Sequence, residues 1–144
     1  MKKEKLKFLK PKEGNSIGQW LIEQGISAGF PSPADDFKEI RISLDEELVK
    51  NKEATFYARV SGNSMENAGM SDGDLIIIDR SLNPENNKIA VCFIDGEFTV
   101  KRLIKKNHKI LLKAENNNYP EIEIKEENNL IIWGVVTYII KKTS

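Results

Sequence analysis

A serine in the run Ser61-Gly62-Asn63-Ser64-Met65 and a lysine in the run Glu97-Phe98-Thr99-Val100-Lys101-Arg102 are the residues of this sequence best suited to covalent chemistry. Lys101 follows Ser64 by 37 positions, and a pair of small residues, Ala28-Gly29, precedes Ser64 by 36. A serine hydroxyl is a poor nucleophile near neutral pH until a base takes its proton and N–H donors receive the developing oxyanion. Ser64 is expected where a strand ends and a short helical segment, Met65 to Ala68 closed by Gly69, begins, so that backbone N–H groups there point outward. Gly62 lets the backbone approach a substrate closely. Position alone favours reading Ser64 as the plain N-cap of that short helix over reading it as a nucleophile.

Histidine is the usual base, but His108 is the only one and sits in Lys105-Lys106-Asn107-His108-Lys109, the expected tip of a hairpin. A lysine can replace it where burial favours the neutral amine. Lys101 also fits a solvated strand lysine beside Arg102; period-two alternation does not exclude it, and spacing and pattern alone favour it over a Ser/Lys dyad. Asp72, Asp74 and Asp79 have neither the loop spacing nor the ligand number of a calcium site, and no His/Cys cluster suits zinc. No glycine-rich phosphate loop occurs. No cofactor and no metal are expected.

With 22 basic and 22 acidic residues the chain has no net charge, which disfavours direct binding to a nucleic-acid backbone. The basic stretch Lys2 to Lys12 reads as a solvated tail. Cys92, the single cysteine, lies in the apolar run Ile89 to Ile94 and reads as a buried, inert thiol. Without an intrachain disulfide, the chain fits a reducing cytoplasm. No stretch approaches the roughly 18 apolar residues of a membrane span, and no apolar block follows the basic start as in a signal peptide.

The elements that must position Ser64 and Lys101 are mostly strands. A length of 144 residues suits one folded domain plus an arm. Residues 1–43 are expected to form the N-terminal arm, because Pro31 and Pro33 fit neither a helix nor a central strand. Residues 44–144 are expected to form the β-rich domain. Ser43 with Glu46 reads as a capping box opening a helix of about two turns. Strands are expected at Thr55 to Ser61, Leu75 to Asp79, Ile89 to Ile94, Glu97 to Ile104, Lys109 to Ala114, Glu121 to Ile124 and Leu130 to Ile140. Asp95-Gly96 is the strongest turn signal, a two-residue type I′ loop that sets Ile94 opposite Glu97, Cys92 opposite Thr99 and Ala90 opposite Lys101. Lys101 then shares a face with Thr99, Leu103, Ala90 and Cys92, small or apolar neighbours for an ammonium. The expected class is mostly β, a compact antiparallel domain carrying an extended arm.

Four segments, FPSPADDF (30–37), SGNSMENAGMSDGDLIIID (61–79), DGEFTVKRL (95–103) and WGVVTYIIK (133–141), closely resemble the UmuD-like branch of the LexA-like self-cleaving Ser/Lys peptidases. The similarity covers about residues 28–141. Ser-Met alone is a weak signal; with FTVKR at the matching interval and an Ala-Gly junction before FPSP it becomes a specific one. The resemblance implies the LexA/UmuD-like C-terminal peptidase fold, with Ser64 as nucleophile, Lys101 as general base, the N–H groups of Asn63 and Ser64 as oxyanion donors, and Ala28-Gly29 as the bond cut. UmuD-like chains often carry Cys-Gly at this junction and LexA-type repressors Ala-Gly, so Ala28 departs from the branch while staying within the family.

The resemblance further implies cleavage stimulated by the RecA filament on single-stranded DNA. Its product is expected to be a homodimeric accessory subunit of a UmuC-type Y-family DNA polymerase in translesion synthesis during the SOS response. Only 28 residues precede the cut, fewer than a helix-turn-helix domain needs, which favours a mutagenesis subunit over a repressor. Alternatives from the same residues are a repressor-derived LexA-like peptidase of a mobile element and a non-catalytic dimeric polymerase scaffold. A type I signal peptidase also uses Ser-Met and Lys-Arg but needs a membrane anchor.

Overall fold

Runs of β-branched and other apolar residues, nearly continuously buried in the central strands and broken by Gly, Asn and Asp turns, give this chain its strands. The computed structural model describes residues 6–11, 19–22 and 39–144. In chain order these form β1 (Leu6–Leu9), β2 (Gln19–Ile22), β3 (Glu39–Ile42), α1 (Leu44–Leu48), β4 (Thr55–Val60), β5 (Leu75–Asp79), β6 (Ile89–Ile94), β7 (Glu97–Lys106), β8 (Lys109–Lys113), β9 (Ile122–Glu123) and β10 (Leu130–Ile140). Two 3-10 turns, Lys52–Ala54 and Glu66–Ala68, complete the described elements. The bounds of β5, β6 and β10 are those expected from the sequence.

The chain divides into two compact units, Met1–Pro11 with Asn51–Ser144, and Lys12–Lys50. Within the smaller unit β2 and β3 pair antiparallel, and α1 follows. That helix spans five residues rather than two turns. Ser43 is extended and makes no side-chain cap; its carbonyl accepts from Glu47 N–H at 2.9 Å.

The larger unit is an eight-stranded antiparallel sheet in the order β1-β4-β5-β10-β6-β7-β8-β9. Leu6 to Leu9, expected in a solvated tail, instead form its edge strand, because Leu6 and Phe8 alternate with Lys7 and Leu9 and so present one apolar face. Two apolar clusters fill the unit. One joins Ala58, Val60, Ile76, Ile78, Val91 and Val100 to Met65 and Met70. The other groups Ala90, Cys92, Ile94, Leu103 and Leu112. The β6–β7 hairpin turns at Asp95 (φ 49°) and Gly96 (φ 83°), as a type I′ loop requires. Its register sets Ala90 opposite Lys101, Cys92 opposite Thr99 and Ile94 opposite Glu97, as expected from the turn residues.

Candidate active site

The hairpin register carries Lys101 to the middle of β7, on the face it shares with Ala90 and Cys92. Strand alternation puts Arg102 on the other face, where its guanidinium bonds the Glu115 carboxylate at 2.5 Å and the Asn87 carbonyl. Lys101 itself is only 6% exposed, so the solvated-lysine possibility does not describe it.

Ser64 sits in the loop after β4, 1% exposed. Gly62 takes a left-handed conformation (φ 95°), and its N–H donates to Asp72 Oδ1 at 2.8 Å, which ties the loop to the Asp72-Gly73 turn. Met65 is buried in the core and is itself the N-cap of the 3-10 turn Glu66–Ala68, so Ser64 is not the cap. Gly69 closes that turn at φ 82°. Anchoring the neighbouring Met65 in the core fixes where Ser64 points.

Lys101 Nζ donates to Ser64 Oγ at 3.2 Å, to Thr99 Oγ1 at 2.7 Å and to the Val100 carbonyl at 3.1 Å. These three acceptors are neutral oxygens. The nearby Cys92 thiol is pushed up to about 12 by burial, with the Lys101 charge pulling the other way, so it stays protonated at neutral pH. A buried amine in hydrogen-bond reach of a buried hydroxyl is the arrangement a serine nucleophile with a lysine base requires.

A second loop braces the first. Asn116 Nδ2 donates to the Asn63 carbonyl at 2.8 Å, and the Tyr119 hydroxyl donates to Asn63 Oδ1 at 2.8 Å. The Glu115 N–H reaches Met65 Sδ at 3.4 Å, and the Asn67 N–H donates to the Glu115 carbonyl at 2.7 Å. Thr99, Asn116 and Tyr119 were not singled out from the sequence. Thr99 carried a signal, since it lies two residues before Lys101 on the same strand face, whereas Asn116 reads in sequence only as part of a turn.

The structure therefore brings Ser64 and Lys101 together and leaves His108 aside, exposed at the β7–β8 turn with φ 64°. Ala28-Gly29 lies outside the described residues. Asp72 and Asp74 serve the fold: Asp72 holds Gly62, and Asp74 accepts from the Ser71 N–H and pairs with Lys141. Asp79 binds Asn51 Nδ2 and both the N–H and hydroxyl of Ser81. Burial pushes its carboxyl up, but these hydrogen bonds outweigh burial and hold it below the usual range. Among the described residues no group of three His, Cys, Asp or Glu side chains is placed to hold a metal, and no helix is long and apolar enough to cross a membrane.

Residues 21–137 match the family described as Peptidase S24-like. The chain is 38% identical to Protein ImpA of Salmonella typhimurium over 133 residues, covering 92% of this chain and 90% of ImpA. Identity with Protein MucA of Escherichia coli is 43% over 116 residues, 80% of this chain and 79% of MucA. Identity with the LexA repressor of Aliivibrio salmonicida is 33% over 135 residues, 93% of this chain and 64% of that repressor. The mostly antiparallel sheet fits the LexA/UmuD-like peptidase fold expected from the sequence. On the span of these matches, the chain belongs to the Peptidase S24-like family.

Proposed function

We propose that this peptidase cuts its own Ala28-Gly29 bond with Ser64 as nucleophile and Lys101 as general base. The observation that carries the proposal is the 3.2 Å approach of Lys101 Nζ to Ser64 Oγ with both groups buried. A neutral lysine has two N–H donors and one lone pair. Thr99 Oγ1 and the Val100 carbonyl are acceptors for such donors, and the lone pair is the group that would accept the Ser64 proton.

In the first step Lys101 accepts the Ser64 proton as Oγ bonds to the Ala28 carbonyl carbon, and the oxyanion is received by the N–H groups of Ser64 and Asn63. The C–N bond then breaks, and the Lys101 ammonium delivers its proton to the departing Gly29 amine. Water attacks the Ala28 ester, with Lys101 taking the water proton and Ser64 regaining its own. The products are an Ala28 carboxylate and a Gly29 amine. Small residues at 28 and 29 suit this chemistry, because bulk at either would keep a bent peptide from a recessed hydroxyl.

In this reading residues 1–43 are the substrate-bearing arm, and RecA filaments on single-stranded DNA favour the state in which the arm is docked. Residues 29–144 then form the homodimeric subunit that assists a Y-family polymerase of the UmuC type in the SOS response. Identity with MucA and ImpA over most of each chain supports this assignment.

Incubation of the purified chain at mildly alkaline pH should yield a fragment beginning at Gly29 by intact mass. Ser64→Ala and Lys101→Ala should each abolish it, and the double variant should be no worse, since the two act as a unit. A fragment beginning elsewhere refutes the cut site. Persistence of cleavage in Ser64→Ala refutes the nucleophile.

A further inference from the structure

β1 is joined to the rest of its sheet by few but specific contacts. Among the described strands it pairs with β4 alone, Leu6 opposite Val60, Lys7 opposite Arg59, Phe8 opposite Ala58 and Leu9 opposite Tyr57. The Val60 N–H donates to the Asp74 carbonyl and the Val60 carbonyl accepts from the Gly73 N–H, both on the β5 side. Antiparallel alternation therefore turns the backbone groups of Tyr57 and Arg59 toward β1.

Three side chains anchor the segment: Leu6 and Phe8 pack against the buried cluster that includes Ala58 and Val60, and Lys10 follows just beyond the strand. The Phe8 ring centroid lies 4.9 Å from that of Phe98 and 4.7 Å from that of Trp133. Lys10 Nζ stands 4.0 Å from the Phe56 ring centroid and donates to the Glu53 carbonyl at 3.1 Å. Phe56 and Phe98 flank Trp133 at 4.9 and 5.9 Å and form the floor on which Phe8 rests.

A cut after Ala28 removes the covalent link between β1 and this site, and with it the high effective concentration that keeps a four-residue strand docked. Loss of β1 leaves the β4 backbone edge unpaired beside an uncovered aromatic floor. Such an edge is a template for another strand. We propose that the β4 edge and its aromatic floor are a strand-accepting site. β1 fills it in the intact chain; once residues 1–28 are severed it receives an extended protein segment with an apolar residue, an aromatic residue and a lysine at alternate positions. The pattern is that of Leu6, Phe8 and Lys10, each of which has its place on the site. The proposal rests on the cut at Ala28-Gly29 for its trigger, but the site itself is testable without self-cleavage.

The test uses the full chain carrying Ser64→Ala, Trp20→Phe and a recognition sequence for a specific protease inserted between Lys12 and Ile17, so that Trp133 is the sole tryptophan. After severing, a labelled synthetic peptide of residues 4–12 should exchange into the site, seen as a saturable rise in fluorescence anisotropy and a shift in Trp133 emission. The same peptide with Phe8→Ala should bind about tenfold or more weakly, through loss of its ring contacts, and with Lys10→Glu several-fold more weakly. An unrelated peptide keeping Ile, Tyr and Lys at the three positions should compete. Absence of exchange, equal binding of the Phe8→Ala peptide, or unfolding of the body on severing would each overturn the proposal. Failure of the wild-type chain to cut itself, with exchange retained in the severed Ser64→Ala chain, would refute the trigger and leave the site standing.

Discussion

Thr99 Oγ1 lies 2.7 Å from Lys101 Nζ, closer than the 3.2 Å that separates the same nitrogen from Ser64 Oγ. The two residues are on one strand, two positions apart, so the hydroxyl travels with the amine and holds it toward the serine. Thr99→Val removes the acceptor at nearly constant volume and should slow self-cleavage by about 10- to 100-fold, through misplacement of the amine. Thr99→Ser should restore most of the rate. Equal rates for the valine and serine variants would show that the hydroxyl does not position the base.

The rate should climb with pH, because only a neutral Lys101 can accept the Ser64 proton. His108→Ala should leave that profile unchanged, since His108 is exposed at the far turn of β7 and β8. A profile that shifts in His108→Ala, or a rate indifferent to pH, contradicts lysine as the base.

The β6–β7 hairpin was legible in the sequence because Asp95-Gly96 admits one short-loop geometry, and that geometry fixes which residues face Lys101. β1 was not. Leu6 and Phe8 do alternate with Lys7 and Leu9, but four residues among lysines carry little pattern, and the strand exists only because β4, some fifty positions on, offers a pairing edge and Phe98 and Trp133, still further along the chain, meet the Phe8 ring. Asn116 and Tyr119 escape sequence reasoning for the same reason: their partner Asn63 is 53 and 56 positions away, and nothing local marks them. The cap expected from Ser43 failed differently. The residue type suits the motif, yet the helix it opens is a single short turn without the side-chain bond.

Gly134 lets β10 pass close to β5. A Cβ there would meet Ile78 Cγ2 at 2.6 Å and Arg80 Cγ at 3.2 Å. Gly134→Ala should therefore lower stability by about 1–3 kcal/mol through overpacking. The check is a denaturant midpoint. An unchanged midpoint would mean that Ile78, fully buried, yields without cost.

Cys92 makes the fold sensitive to alkali. Burial disfavours the thiolate and pushes the folded-state thiol up to about 12 from an ordinary value of 9.0, with the Lys101 charge pulling the other way. Between those values the folded state holds a proton that the unfolded state has lost, so this group lowers stability progressively as pH rises through that window. Below it the contribution is constant. Cys92→Ala should lose less stability than wild type between about pH 8 and about pH 10.5. Equal losses would show that the thiol does not govern alkaline stability. Self-cleavage profiles are accordingly best measured below the onset of this loss.

Asn116 and Tyr119 hold Asn63 from both its carbonyl and its side chain, immediately before the nucleophile. Neither touches Ser64 Oγ or Lys101 Nζ in the bonds described, so their effect on the reaction runs through the placement of the Asn63-Ser64 peptide, the proposed oxyanion donor. Asn116→Ala also strips one acceptor from the Asn118 N–H, which bonds Asn116 Oδ1 at 3.0 Å, and so loosens the bracing loop as well. Tyr119→Phe is the cleaner change, since it deletes one hydroxyl from an exposed contact. Asn116→Ala should slow cleavage by about tenfold or more and Tyr119→Phe by a few-fold, both without displacing the pH profile set by Lys101. A displaced profile would mean that the loop acts on the base, not on the oxyanion donors. Full activity in both variants, with the fold intact by thermal midpoint, would show that the Asn63-Ser64 peptide is held in place without them.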